Sequence, residues 1–401
     1  MASTIKPFKA TCYNPVLIKD LSCVVCPPYD VISRRELNVL KRKSPYNFCR
    51  VLFASKNNYQ EVGTRFRGWV RKRVLTTNTS PSLYLYEQRF CCEGKRYSRL
   101  GVLALLRMNK KGVIFPHEHT LKAPKQDRRK IIEEVEANLS PIFVVVPQSL
   151  NILAQIRRAY SQTKPLMKYK DLEGHDNSIW QIEDEGDIKA ICRQIDQNKL
   201  VIADGHHRFE VAYEYYRKHK NKFKDLNYIL AYITGTQDGL LILPTHRIIK
   251  AKTADFLERL RKYFFVSEMT QGLLEKQLRS TGRGKGFSFG VYMKNKFYFL
   301  RLKKTSILDT INKGSAYKHL DTYIFHTVVL PLMKSEGQIS YTHSVREAKR
   351  MTGTDKVAVI LRSTPIEIVF KIANKGLRLP QKSTYFYPKV TSGMVIRKFE
   401  N

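Results

Sequence analysis

The stretch that most restricts the fold is LVIADGHHRFEVAYEYY, Leu200 to Tyr216. An apolar, strand-like run ends in an acid and a glycine, and helical spacing begins at once. Gly205 permits a backbone conformation or a close approach that other residues resist. The helix after it starts with N–H groups that lack intrahelical acceptors, and its dipole adds partial positive charge at the same point. Such a corner suits an anion, and phosphate in particular. Arg208, in the first helical turn, offers a planar fork of donors, and His206 and His207 add ring nitrogens. A plainer alternative makes Asp204 a helix cap and Gly205 a turn beside solvated histidines. That alternative gives no reason for His-His-Arg. Adjacent helical residues point about 100° apart, so the two histidines are poorly placed to share one metal.

Strands alternate with helices around this corner. LYLYEQRF (83–90) and YSRLGVLALLRM (97–108) flank CCEGKR as a hairpin, and VIFPHEHTL (113–121) comes after the turn NKKG. Helices are expected over 123–139, 149–159 and 187–197, with a strand at SPIFVVVP (140–147). Further strands are expected at 226–234 and 240–249. Beyond residue 250 the pattern changes to helices at 253–263 and 269–279, a hairpin at 287–302, a long apolar helix over 317–333, a strand at 356–363 and a helix at 365–375. The fold class read from this order is α/β, an α+β mixed sheet. The domain reading is an α/β phosphate- and nucleotide-binding region over 1–250 and an α+β region over 251–401.

Charge is the unusual global property. Lys and Arg number 71 against 35 Asp and Glu, a net of +36, which attracts polyanions. The basic residues are dispersed in short clusters such as RKHKNKFK (217–224), and no zinc finger, RNP box or basic zipper is present. Nucleic acid is therefore a partner to consider, not the favoured one. No apolar run is long enough for a membrane span, and the first residues lack a signal-peptide core, so a cytoplasmic protein is expected. The seven cysteines, including Cys23 and Cys26 in a C-x-x-C, read as buried thiols in preference to a zinc or redox site. There is no G-x-G-x-x-G loop, Walker A frame, G-x-S-x-G elbow or H-E-x-x-H, which removes the common dehydrogenase, P-loop, hydrolase and zincin readings.

DGHHRFEVA resembles the signature of the domain of unknown function 1015 family. IKPFKATCYNP, VVCPPYDVIS, SPYNFCRV, LYLYEQRF, FPHEHTL, DRRKIIEEVEANLSPIF, GLLILPTHRII and LPQKSTYFYPK look like its other blocks, in order, over nearly the whole chain. The box is in turn similar to the phosphate-binding box of the ParB/sulfiredoxin-like fold, which includes kinases of free L-serine. The resemblance implies a ParB/sulfiredoxin-like core with an additional α+β domain. It further implies a phosphotransferase using ATP or ADP with Mg²⁺ on a small-molecule hydroxyl, with L-serine as the acceptor. A ParB-like nucleotide-binding regulator that touches nucleic acid is the alternative. Carried over, Asp204, Gly205, His206, His207 and Arg208 surround the nucleotide phosphates, with His207 also a candidate catalytic group. The resemblance departs at His119, where the family more often carries Arg or Lys.

Kinase chemistry also needs a carboxylate near the accepting hydroxyl. Glu118, between His117 and His119, and Asp30, held by Pro27 and Pro28, are the candidates. Each has a plainer reading, a salt-bridged loop acid and a turn residue. The two histidines share a face on an extended strand, a spacing that also suits a metal. In DRRKIIEEVEANL bases come early and acids late, against the helix dipole, so Arg128 is either a phosphate ligand or part of a solvated face. His246 and Arg247 close an apolar strand, and on the family match Arg247 completes the anion pocket. Lys382, Ser383, Thr384 and Lys389 lie among aromatics in a segment read as base-stacking or packing.

Overall fold

The computed structural model describes residues 3–108, 113–118, 120, 122–251, 256–281, 287–310, 315–333 and 336–400. The chain forms two compact units. One is Met1–Pro116 with Thr120–Leu240 and Pro388–Asn401; the other is His117–His119 with Leu241–Tyr387. This division falls a little before residue 250 and returns the C-terminal segment to the first unit.

The first unit is built on a nine-stranded mixed sheet. Its strands run in the order Ile114–Pro116, Leu200–Asp204, Ile142–Val146, Tyr228–Gly235, Lys95–Arg107, Leu83–Cys92, Asp176–Ile182, Met167–Lys170, and Ile5–Lys6 adds to Lys95–Arg107. The expected α/β class with a mixed sheet is therefore what the chain adopts. Leu200–Asp204 runs parallel to Ile114–Pro116 and antiparallel to Ile142–Val146. The hairpin between Leu83–Cys92 and Lys95–Arg107 turns through Glu93 (φ 49°) and Gly94 (φ 75°), the two left-handed residues that a tight hairpin requires.

The helix His206–Lys218 buries Val211, Ala212 and Tyr215 in the core with Leu200 and Ile229. It also packs on the helix Lys122–Val135. This contact explains the inverted charges noted above. Lys125 Nζ lies 3.1 Å from Glu210, Arg129 pairs with Glu214, and Lys222 reaches Glu136 at 2.7 Å. Lys125 and Arg129 face acids on the neighbouring helix, and Glu136, just past the helix end, faces Lys222, which offsets part of the unfavourable order along the dipole. The helix expected over 123–139 stops at Val135. Glu136 adopts φ 48°, and Ala137–Asn138 pairs with Arg397–Lys398.

The second unit carries a six-stranded antiparallel sheet in the order Phe264–Met269, Lys296–Leu302, Ser288–Met293, Lys356–Ile360, His246–Lys250, Glu336–Thr342. The strand expected over 240–249 is two strands. Leu241–Leu243 pairs with Tyr385–Tyr387, and His246–Lys250 joins the six-stranded sheet. Pro244 between them has no N–H to give a ladder. The long helix expected over 317–333 is likewise broken. A 3₁₀ turn, Ser315–His319, precedes Asp321–Ile324, a π turn Phe325–Val329 and Leu330–Leu332. Pro331 cannot donate to the carbonyl one α-turn back and its ring crowds that carbonyl, which the wider π turn relieves. Among the described residues no helix is long and apolar enough to cross a membrane.

Two glycines test this packing. A Cβ on Gly101 would lie 2.4 Å from the Tyr232 ring and 2.7 Å from the Ile233 carbonyl, whereas one on Gly68 meets nothing within 4 Å. Gly101→Ala should lower unfolding free energy by about 1–3 kcal/mol. Gly68→Ala, inside a helix, should raise it by about 0.5–1 kcal/mol. Urea titration of both variants measures the contrast, and equal effects would contradict the register of the central strands.

Candidate functional site

The strand Leu200–Asp204 carries a bulge between Ile202 and Asp204, which re-aims the Asp204 side chain at the strand end. Gly205 follows at φ 89°, ψ 26°, and the helix begins at His206. Only a residue that tolerates the left-handed region fits there. The space is also closed to a side chain, because a Cβ on Gly205 would lie 3.0 Å from Arg208 Nη2. The guanidinium of Arg208 thus folds back over the glycine. Its Nη2 donates to Asp204 Oδ2 at 2.8 Å and its Nη1 donates to the Pro141 carbonyl. The fork read as a bidentate phosphate clamp is turned toward protein acceptors. Among the described residues the buried Nε is the guanidinium position with no hydrogen-bond partner.

Asp204 has a second cation. Lys389 Nζ lies 2.5 Å from Oδ1, and all three side chains are about one-tenth exposed, at 10% for Lys389 and 12% for the other two. Burial alone would raise the Asp204 carboxyl, but Lys389 and Arg208, with His206 nearby, outweigh it and hold the group below the usual carboxylate range. Lys389 is fixed by its backbone neighbours. Arg99, fully buried, donates to the Pro388 carbonyl at 2.6 Å, and Gln88 Nε2 donates to the Lys389 carbonyl at 3.4 Å. Two cations on one carboxylate leave surplus positive charge at a helix N-terminus. His206 is buried there and His207 is partly exposed.

Beside the corner lies a cavity of about 50 Å³, lined among others by Tyr29, Arg128, Ser140 and Arg208. It has room for a few waters, not for a nucleoside. Arg128 lies under Tyr29, with its Cζ 4.0 Å from the ring centroid, and its Nη2 donates to the Leu52 carbonyl at 2.7 Å. Burial, aided by the charge of Asp30, pushes the Tyr29 phenol up to about 12 against the opposing pull of Arg128 and Arg208. Asp30 itself is exposed, next to Tyr29. Asp30, Arg128 and the 204–208 corner therefore belong to one neighbourhood of the first unit.

Glu118 and Arg247 belong to the second unit. Glu118 Oε1 accepts from Thr384 Oγ1 at 3.1 Å, and the same hydroxyl lies 3.0 Å from His117 Nε2. Arg247 is fully buried, with Nη1 on the Thr245 carbonyl and Nη2 on that of Lys382 at 2.9 Å. His119 lies outside the described residues. Among the described residues no group of three His, Cys, Asp or Glu side chains is placed to hold a metal. The residue that sequence reasoning missed at the corner is Lys389, which stands 185 positions from Asp204 in a segment read as stacking or packing. No local spacing signals that pairing.

The chain belongs to the family described as Protein of unknown function (DUF1015), whose model matches residues 5–323. No curated protein matches it. Among solved structures it is similar to a mutant free serine kinase in complex with ADP, at 15% identity and TM-score 0.36, covering 71% of this chain and 87% of that one. It is also similar to a free serine kinase in complex with AMP, at 14% identity and TM-score 0.35, covering 71% and 86%. A conserved hypothetical protein from Pyrococcus furiosus matches at 13% identity and TM-score 0.35, covering 72% and 92%.

The triad of Asp204, Arg208 and Lys389 sets a pH dependence. Because the folded carboxyl is lowered, its stabilising contribution is complete above the unfolded value of about 3.9 and is lost as pH falls below it. Wild type should exceed Asp204→Asn by about 3–5 kcal/mol near neutral pH, since the variant leaves two buried cations without their anion. Urea unfolding from about pH 6 to about pH 3 should show that margin shrinking. A margin independent of pH would contradict the arrangement.

Proposed function

We propose that this member of the DUF1015 family transfers a phosphoryl group from ATP or ADP to the hydroxyl of a small molecule, with L-serine as the acceptor. The observation that carries the reading is the left-handed Gly205 corner, where Arg208 and Lys389 converge on one carboxylate and leave positive charge at a helix start. The orphaned Arg208 Nε and the small cavity beside it suit one phosphate group. The acceptor rests on the likeness of the Asp-Gly-His box to that of ParB/sulfiredoxin-like serine kinases.

In this reading Asp204 orients its two cations and touches no phosphate oxygen. Arg208 and the N–H groups after Gly205 hold the donor's phosphates, and His206 and His207 add ring nitrogens. Arg128, paired with Asp127 and donating to the Leu52 carbonyl, lines the cavity wall and holds its shape. Asp30, exposed beside Tyr29, takes the hydroxyl proton as the new O–P bond forms and the bond to the departing nucleotide oxygen breaks. Arg208 and Lys389 steady the charge that passes to the departing phosphate. Mg²⁺ is assigned here to the phosphates that bring it, as is usual for this ion. Glu118 is the alternative base, and Arg247 the alternative phosphate contact.

Phosphorus NMR of the protein with Mg²⁺, ATP or ADP, and L-serine should show O-phosphoserine. Arg208→Ala should slow its appearance about 10²–10³-fold, and Asp30→Asn about 10²–10⁴-fold. Transfer lost in Glu118→Gln and kept in Asp30→Asn would move the base to Glu118. Nucleotide left intact with and without serine would overturn the reading. The net charge of +36 then favours the nucleic-acid-binding regulator, whose binding to DNA falls steeply with salt.

A further inference from the structure

Among the described residues of the second unit, the exposed large apolar side chains lie close together in the chain: Tyr263 at 38%, Phe265 at 53% and Leu273 at 50%. Phe265 belongs to the strand Phe264–Met269, an edge of the six-stranded sheet. That strand pairs with Lys296–Leu302 on one side and, among the described residues, with no strand on the other. The Phe265 ring rests beside Arg301 and Lys303, 5.4 Å and 5.6 Å from its centroid, and still faces solvent. An open edge is a template for another strand, and proteins usually blunt one. The edge Met167–Lys170 of the first unit's sheet does so with Lys168 and Lys170, both exposed. The other edge of the six-stranded sheet, Glu336–Thr342, pairs in an irregular register. Phe264–Met269 has neither device, since its register is continuous and it contains no lysine or proline.

One contact fixes which backbone groups of this strand point outward. The Lys303 N–H donates to the Tyr263 carbonyl at 2.9 Å, in the register that sets Phe264 opposite Leu302. Bonding alternates along an antiparallel strand. Phe265, Ser267 and Met269 therefore turn their N–H and C=O groups inward to Lys296–Leu302, and Phe264, Val266 and Glu268 turn theirs outward. The segment from Lys262 to Glu268 reads KYFFVSE. Set antiparallel to itself about Phe265, it places Phe265 opposite Phe265, Phe264 opposite Val266 and Lys262 opposite Glu268. The outward groups of Phe264 and Val266 then meet those of Val266 and Phe264. The Phe265 pair falls at a non-hydrogen-bonded position, where opposed side chains come closest. Tyr263 stands diagonal to the opposing Phe265, within reach of an aromatic ring. Glu268, with Lys296 Nζ 2.9 Å from Oε1, is 52% exposed and open to a second cation.

We propose that a second copy of this chain adds to the second unit along this edge, the two Phe264–Met269 strands pairing antiparallel about Phe265 so that the two sheets become one. The register itself argues for a second copy as the occupant. The same segment supplies the apolar pair at the centre, the matching outward hydrogen-bonding groups beside it and opposite charges at the two ends. A two-fold contact of this kind is self-complementary and closes at the dimer. It covers the exposed Phe265 and removes the open edge. All its residues lie in the second unit, so it stands independently of the Gly205 corner and of phosphoryl transfer.

Sedimentation velocity of the full chain over a concentration series tests this, at about 0.15 M salt, where the +36 charge of each copy is screened beyond about 8 Å. Wild type should be dimeric at the upper end of the series. Val266→Pro removes an outward N–H and no bond of its own sheet, so it should keep the wild-type circular dichroism and stay monomeric. Phe265→Lys, which sets like charges opposite each other at the centre, should also stay monomeric. Lys262→Glu and Glu268→Lys should each weaken dimerisation about tenfold, because like charges then oppose each other at both ends of the seam. Mixed together, these two charge variants should form a heterodimer that native mass spectrometry detects, since every charge again meets its opposite. A wild type that stays monomeric throughout would overturn the proposal and leave the edge to an extended segment of a different protein. A dimer that persists in both Val266→Pro and Phe265→Lys, or charge variants that gain nothing on mixing, would overturn it as well.

Discussion

The Asp204 carboxylate is the point on which the first unit's candidate site depends. It ends a sheet strand, and it accepts from Arg208 one helical turn later and from Lys389 near the C-terminus. One buried anion therefore fixes a strand end, a helix start and a returning chain segment together. Removing a member of such a cluster leaves a charge unpaired in a poorly solvated place, at a cost of about 3–5 kcal/mol. The same arithmetic gives the corner its chemistry. Two cations against one anion leave a positive remainder, and Gly205 brings the helix N–H groups to the same place.

The two units handle buried cations differently. In the first, Arg208 and Lys389 face a carboxylate, while Arg99 stacks on Phe143, with its Cζ 4.7 Å from the ring centroid, and donates to the Pro388 carbonyl. In the second, Arg362 has its carboxylate in Asp321, whereas among the described residues Arg247 is held by the Thr245 and Lys382 carbonyls and by no carboxylate.

Local pattern carried much of this into the sequence. The strand, the glycine and the helix at 200–218 were legible because the period of apolar residues switches at Asp204-Gly205. The 83–107 hairpin was legible from its Glu-Gly turn. Pro244 and Pro331 mark the two elements that sequence periodicity overextended, since apolar spacing continues across a residue that the hydrogen-bond ladder does not. The early bases of Lys122–Val135 looked like a functional conflict, and Lys125 and Arg129 face Glu210 and Glu214 across a helix pair, with Glu136 and Lys222 pairing just beyond the two helix ends. Lys389 was visible only as a lysine among aromatics, because its partner is fixed by sheet topology and by Arg99, not by spacing.

The most direct measurement is amide hydrogen exchange of the full chain with and without ADP and Mg²⁺. If the Gly205 corner holds the phosphates, peptides covering 204–209 should gain protection on nucleotide addition, and Lys389→Met should remove most of the gain. Protection confined to other segments, with the 204–209 amides unchanged at saturating nucleotide, would contradict the account.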